Sequence, residues 1–217
     1  PLPMPDKKKS YSDTKKPMLA KLRTQSLDEL CSQFEWSRPV SSFLTPRATF
    51  QTLLQSLINH EYWFDSVTML AHAMPQREAV WWAARVCDEY LTENPIDDAS
   101  RQEQERVLKS ARSWVSEPEE ENRMATYAAA SGVPNRVPAH WVGMAVFWAT
   151  GNITPDAGVI TPPPPYLYAR GVSAAIDLAA SLTAHARIEL YKNAIGRGID
   201  IASGGDGETI LSLRTAR

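Results

Sequence analysis

Cysteine is scarce in this 217-residue chain: Cys31 and Cys87 stand alone, with no CxxC pair. Two isolated cysteines cannot make a disulfide framework, so both are read as reduced structural thiols. Histidine is almost as sparse. His60, His72, His140 and His185 are scattered over 125 residues without a ligand spacing, and no metal site or cofactor is expected from them. His60-Glu61 begins like a zinc-protease HExxH, but Phe64 stands where the second histidine belongs, and such a site needs two imidazoles on one helical face. There is no GxSxG elbow, and Gly204-Gly205-Asp206-Gly207-Glu208 lacks the Lys-Ser/Thr of a phosphate loop. An enzyme is therefore not expected. No apolar run approaches the ~18–20 residues of a membrane span, and no charged segment leads into an apolar one at the start. The expectation is a cytoplasmic protein without membrane insertion. Strand-like alternation of apolar and polar residues is nearly missing as well, which argues against a sheet of consequence.

What the chain does have is tryptophan, seven residues of it, in a composition that is otherwise ordinary at 43% hydrophobic and 22% charged. Such values belong to a folded globular chain, and the length fits one domain with a tail. Charge is unevenly spread. Residues 1–26 hold seven basic side chains against two acidic ones, or +5, whereas the remainder holds sixteen against twenty-three, or −7. We read residues 1–26 as a flexible basic arm, 27–204 as a single helical domain and 205–217 as a C-terminal tail. The acidic body disfavours nucleic acid as a partner.

Helical period organises the rest. A short helix at 26–34 opens with Ser26 and Glu29 at capping-box spacing. Thr45-Pro46 offers a cap and a first-turn proline ahead of Phe50, Leu53, Leu54, Leu57 and Ile58. Helices follow at 62–73 and, behind Pro75, at 76–91, the latter ended by Asn94-Pro95. Segment 100–115 carries Val107, Leu108, Ala111 and Trp114 on one stripe. Acidic residues behind Pro118 suit the first turn of the next helix, which stops near Gly132. A helix at 138–149 precedes a Pro/Gly-rich loop whose proline run, 162–165, either stiffens the approach to two last helices at 166–182 and 184–203 or, as polyproline II, docks on an aromatic groove. Gly204 serves as their C-terminal cap. Short connections favour antiparallel neighbours, so the predicted fold is all-α, an irregular bundle of about eight mostly antiparallel helices.

Two helices stand out. In 76–91, Val80, Ala83, Ala84, Cys87 and Leu91 share one face, while Trp82 points nearly opposite, among Glu78, Arg85 and Glu89. Either this helix is central and packed on both sides, or Trp82 belongs to a partner-binding surface, where tryptophan and arginine are enriched. In 138–149, Trp141, Met144, Ala145 and Trp148 form one stripe, and Val142, Val146 and Phe147 make the other faces apolar too. That pattern predicts the buried centre of the fold. His140, its one ionisable residue, reads as a cap or surface group. Arg170 and Asp177, two turns apart, and Glu189 are candidates for buried ion pairs.

Three segments together resemble an uncharacterised bacterial family of unknown function that is often associated with type VI secretion loci. They are Met74-Pro75-Gln76-Arg77-Glu78-Ala79-Val80-Trp81-Trp82-Ala83, then Ala145-Val146-Phe147-Trp148 with Gly151-Asn152-Ile153-Thr154-Pro155, then the 162–165 prolines leading into Ala169-Arg170-Gly171-Val172 and Ala174-Ala175. The resemblance spans about residues 45–203 and brings no catalytic residues with it. It implies company: secreted effectors, spike-tip proteins and their loading adaptors. The expected function is a non-enzymatic adaptor or chaperone for a type VI secretion effector or spike component, with Arg77, Glu78, Trp82, Arg85 and Glu89 as the partner-binding face. The alternative is a regulatory or scaffold module unrelated to secretion.

Overall fold

Helical period becomes nine helices, and no strand, among the described residues of the computed structural model, which are 19–154, 158–183, 186–210 and 213. In chain order they are α1 (Leu27–Cys31), α2 (Phe50–Asn59), α3 (Trp63–Ala73), α4 (Gln76–Glu93), α5 (Asp98–Ser116), α6 (Glu120–Ser131), α7 (Pro138–Phe147), α8 (Leu167–Leu182) and α9 (Arg187–Ala202). The all-α class is as expected, with one element more than the predicted count.

Several starts are set by capping chemistry. Ser26 accepts from the Glu29 backbone N–H to open α1, but the Glu29 carboxylate turns away to Arg23 and Thr24 and closes no box. The predicted Thr45-Pro46 start of α2 is corrected to Thr49, whose side chain and that of Thr52 bond each other's backbone reciprocally. Asp97, accepting from Ser100, starts α5. Gly204, at φ +91, follows α9 in the left-handed conformation expected of a terminal glycine.

Helices α4, α7 and α8 form the centre, with α7 packed against α4, α5, α6 and α8. Approach is close where side chains are small. A Cβ on Gly143 of α7 would collide with Ala130 of α6, and one on Gly171 of α8 would lie 2.9 Å from the Ala145 Cβ. Arg123 fixes the end of α7. Its guanidinium donates to the Phe147 carbonyl at 2.8 Å and to both oxygens of Glu120 at 2.7 Å, holding the Glu120 carboxyl below its usual range.

Residues 1–18 of the expected arm, His185, and 211, 212 and 214–217 of the expected tail lie outside the described residues. The arm's last eight residues are described, and they pack on the body. Leu19 is fully buried, the Lys21 N–H donates to the Ala202 carbonyl at 2.8 Å, and the Arg23 N–H donates to the Ala73 carbonyl at 2.7 Å. Two helix C-termini, of α9 and α3, thereby fill carbonyls that a helix cannot satisfy internally. No described helix is long and apolar enough to cross a membrane.

Candidate functional site

The predicted partner-binding face on α4 is occupied by the protein's own C-terminal helix and the loop after it. Trp82 is fully buried, so of the two readings of this helix the structure shows the one packed on both sides, and Trp82 is corrected from a candidate partner-binding residue to core. Its indole packs on α9 where Gly198 has no side chain; a Cβ there would lie 2.8 Å from the ring. That gap lets the indole N–H reach the Ala194 carbonyl, one turn earlier on α9, at 2.7 Å. Glu89, expected to meet a partner, accepts instead from Arg197 at 3.0 Å and Asn193 at 2.9 Å of the same helix. Both side chains of the Glu89–Arg197 pair are about nine-tenths buried.

The glycine-rich segment 204–208 then folds over α4. The Asp206 backbone carbonyl accepts from the Trp81 indole at 2.7 Å, Glu208 pairs with Arg85 at 2.6 Å, and the Gly207 carbonyl accepts from Arg197. Arg77 donates to the carbonyls of Val115 and Ser116 at the end of α5, and Glu78 is half-buried. Four of the five candidate residues thus serve contacts within the molecule. Glu78 alone has no such assignment.

The second tryptophan helix shows the reverse. Its residues Ala139, Val142, Gly143, Ala145 and Val146 are fully or almost fully buried, whereas Trp141, Met144 and Trp148, with His140, are only half-buried. The expectation that the Trp141/Trp148 stripe is core holds only in part: Trp141 packs against the core from its edge, and neither tryptophan is fully buried. Close approach at Gly143 and Gly171 narrows the inner faces of α7, where Phe147 is still buried by stacking on Tyr127, and Trp141, Met144 and Trp148 occupy its more open side. Trp141 and Trp148 stand 6.2 Å apart, and the Trp141 indole is anchored by the Asn135 carbonyl at 2.8 Å. This partly open side of α7 carries no acid, lysine or arginine, and partly exposed apolar surface of this kind is a candidate interaction site.

A third feature is a cleft of about 840 Å³ between the turn after α1, the outer face of α3 and the start of α8. Phe64, Thr68 and His72 line it from α3 at four-residue spacing, and Arg170, Ser173, Ala174 and Asp177 line it from α8. The turn contributes Cys31, Gln33 and Phe34. His72 Nδ1 lies 2.8 Å from the Thr68 carbonyl; a carbonyl only accepts, so Nδ1 carries the proton and Nε2 is an acceptor. Burial, reinforced by the charges of Arg170 and Arg23, lowers the His72 pKa to about 4. Burial also pushes the Cys31 thiol up. Of seven buried side-chain atoms with no hydrogen-bond partner among the described residues, three belong to this one cleft: Gln33 Oε1, Thr68 Oγ1 and His72 Nε2. Leaving such an atom unsatisfied costs ~1–3 kcal/mol, so their convergence is informative.

The buried ion pairs expected of Arg170, Asp177 and Glu189 do not form as such. Asp177 accepts from Tyr191 and lies 3.8 Å from Arg187 with both side chains exposed, while the interior pair is Glu89–Arg197. No three His, Cys, Asp or Glu side chains among the described residues could hold a metal ion together.

Residues 53–202 match the model of a family described as a family of unknown function (DUF6931). The match runs from the fourth residue of α2 to the last of α9 and takes in the whole α7 stripe. No curated protein and no solved structure matches the chain.

Proposed function

The chain belongs to the DUF6931 family of unknown function, and from that premise we propose a non-enzymatic accessory protein, an adaptor or chaperone of the cytoplasm, that grips a protein partner through the outward stripe of α7. The observation that carries it is the pair Trp141 and Trp148, partly exposed with Met144 between them, on a helix and its C-terminal cap held by Arg123 and four neighbouring helices. Rigid aromatic anchors of this kind supply much of the affinity of protein interfaces at little entropic cost. The partner class is an effector or spike component of a type VI secretion apparatus, which rests on the family resemblance of the Arg-Glu-Ala-Val-Trp-Trp segment and its companions.

Affinity capture from the native host, with mass spectrometry, tests both halves. The wild-type chain is expected to recover a secretion component, and Trp141→Ser/Trp148→Ser is expected to lose it while keeping its helical circular dichroism. Retention by the double variant removes the stripe from the account; stripe-dependent capture of an unrelated protein favours a scaffold outside secretion.

A further inference from the structure

We infer that the cleft between the 31–35 turn, α3 and α8 binds a small zwitterion of the amino-acid class. The site is separate from the α7 stripe and stands on its own observations.

Its interior asks for hydrogen-bond donors. His72 is 1% exposed and Thr68 6%, and neither His72 Nε2, Thr68 Oγ1 nor Gln33 Oε1 has a partner among the described residues. Nε2 and Oε1 can only accept, because the imidazole proton sits on Nδ1 against the Thr68 carbonyl. Only a ligand carrying N–H or O–H groups satisfies both, and the Thr68 hydroxyl takes either role.

Charge narrows the class. Arg170 lines the cleft, is exposed and makes no hydrogen bond or ion pair among the described residues, and its guanidinium fork suits a carboxylate. Asp177 lines the same cleft seven residues further along α8, ~10 Å along the helix axis, and Glu35 adds a second carboxylate to the lining. A purely anionic ligand meets repulsion from Glu35 and, less, from Asp177, which already accepts from Tyr191 and faces Arg187, and a purely cationic one meets repulsion from Arg170. A zwitterion with its carboxylate at Arg170 matches both signs, and its ammonium supplies the donors. Phe34 and Phe64 provide apolar wall for a side chain, and the volume lies within the range of small-molecule pockets. The Phe34 ring stands 4.6 Å from the His72 ring.

The test is isothermal titration of the full chain with each of the twenty L-amino acids, with acetate and ethylamine as half-ligands. In parallel, the imidazole nitrogens of histidine-labelled protein are followed by NMR. At least one amino acid is expected to bind and to move the His72 Nε2 resonance upfield as it begins to accept a hydrogen bond. Acetate and ethylamine are expected to bind at least about tenfold more weakly. Arg170→Gln, at an exposed position, should weaken binding about tenfold, and Thr68→Val, which keeps the side-chain shape, should weaken it without loss of fold. The proposal is overturned if no amino acid moves the Nε2 resonance, or if binding persists unchanged in both variants. Equal binding by acetate would overturn the zwitterion assignment.

Discussion

Trp82 lies in α4 and Trp148 caps the C-terminus of α7, helices that pack against each other, yet one ring is sealed and the other is only partly buried. The difference follows from where the glycines are. Gly198 on α9 hollows a seat for the Trp82 indole and opens the Ala194 carbonyl to its N–H. Gly143 and Gly171 do the opposite around α7: they let backbones come so close that no tryptophan fits between them. A large apolar residue is therefore buried where a neighbour is carved out for it, and displaced to the open side where neighbours are tight.

This contrast is open to attack by substitution. Trp82→Ala should destabilise the protein by ~3–5 kcal/mol, the usual cost of emptying a large aromatic site, whereas Trp148→Ala should cost only about 1 kcal/mol; urea unfolding of the two variants reads the gap directly. Glu89→Ala should cost about 3 kcal/mol, because it strands the Arg197 charge in a site built for a pair. Restored stability in Glu89→Ala/Arg197→Met would confirm that the loss is the stranded cation.

Acid probes a third region. His72 keeps its neutral form in the folded chain down to about pH 4, against 6.5 for the ordinary group. The unfolded chain therefore binds the extra proton first, so this contribution to stability is full above pH 6.5 and falls as pH drops through that window. The loss approaches about 3 kcal/mol once titration is complete. Urea midpoints between pH 7 and pH 4 check it, and the slope should flatten in a His72→Gln variant. A smaller effect is expected for Gly198→Ala, ~1–3 kcal/mol, as the new methyl meets the Trp82 ring.

The helices were legible because period is local: Phe50, Leu53, Leu54, Leu57 and Ile58 read as one buried face, and all five are buried. The roles of α4 and α7 were not. Trp82 among Glu78, Arg85 and Glu89 looks amphipathic in the wrong sense until Arg197, 108 residues from Glu89, is known to lie opposite. Nothing local to α7 tells that its inner space is set by Ala130 of α6 and Gly171 of α8. The cleft was half visible, since Phe64, Thr68 and His72 recur every fourth residue and Arg170, Ala174 and Asp177 share the α8 stripe. That these two stripes face a common space, with Gln33 beside them, is a property of the tertiary fold. The fate of the 204–208 segment was likewise hidden: its glycines mark a cap, but its docking on Trp81 and Arg85 depends on side chains more than a hundred positions away.

Solvent access of individual indoles tests the central contrast most directly. In 5-fluorotryptophan-labelled protein, with resonances assigned by single Trp→Phe variants, a soluble gadolinium agent should broaden the fluorine signals of Trp141 and Trp148 and leave Trp82 sharp. Broadening of Trp82, or protection of both α7 tryptophans in the isolated chain, would contradict the assignment of α4 to the core and of the α7 stripe to the binding surface.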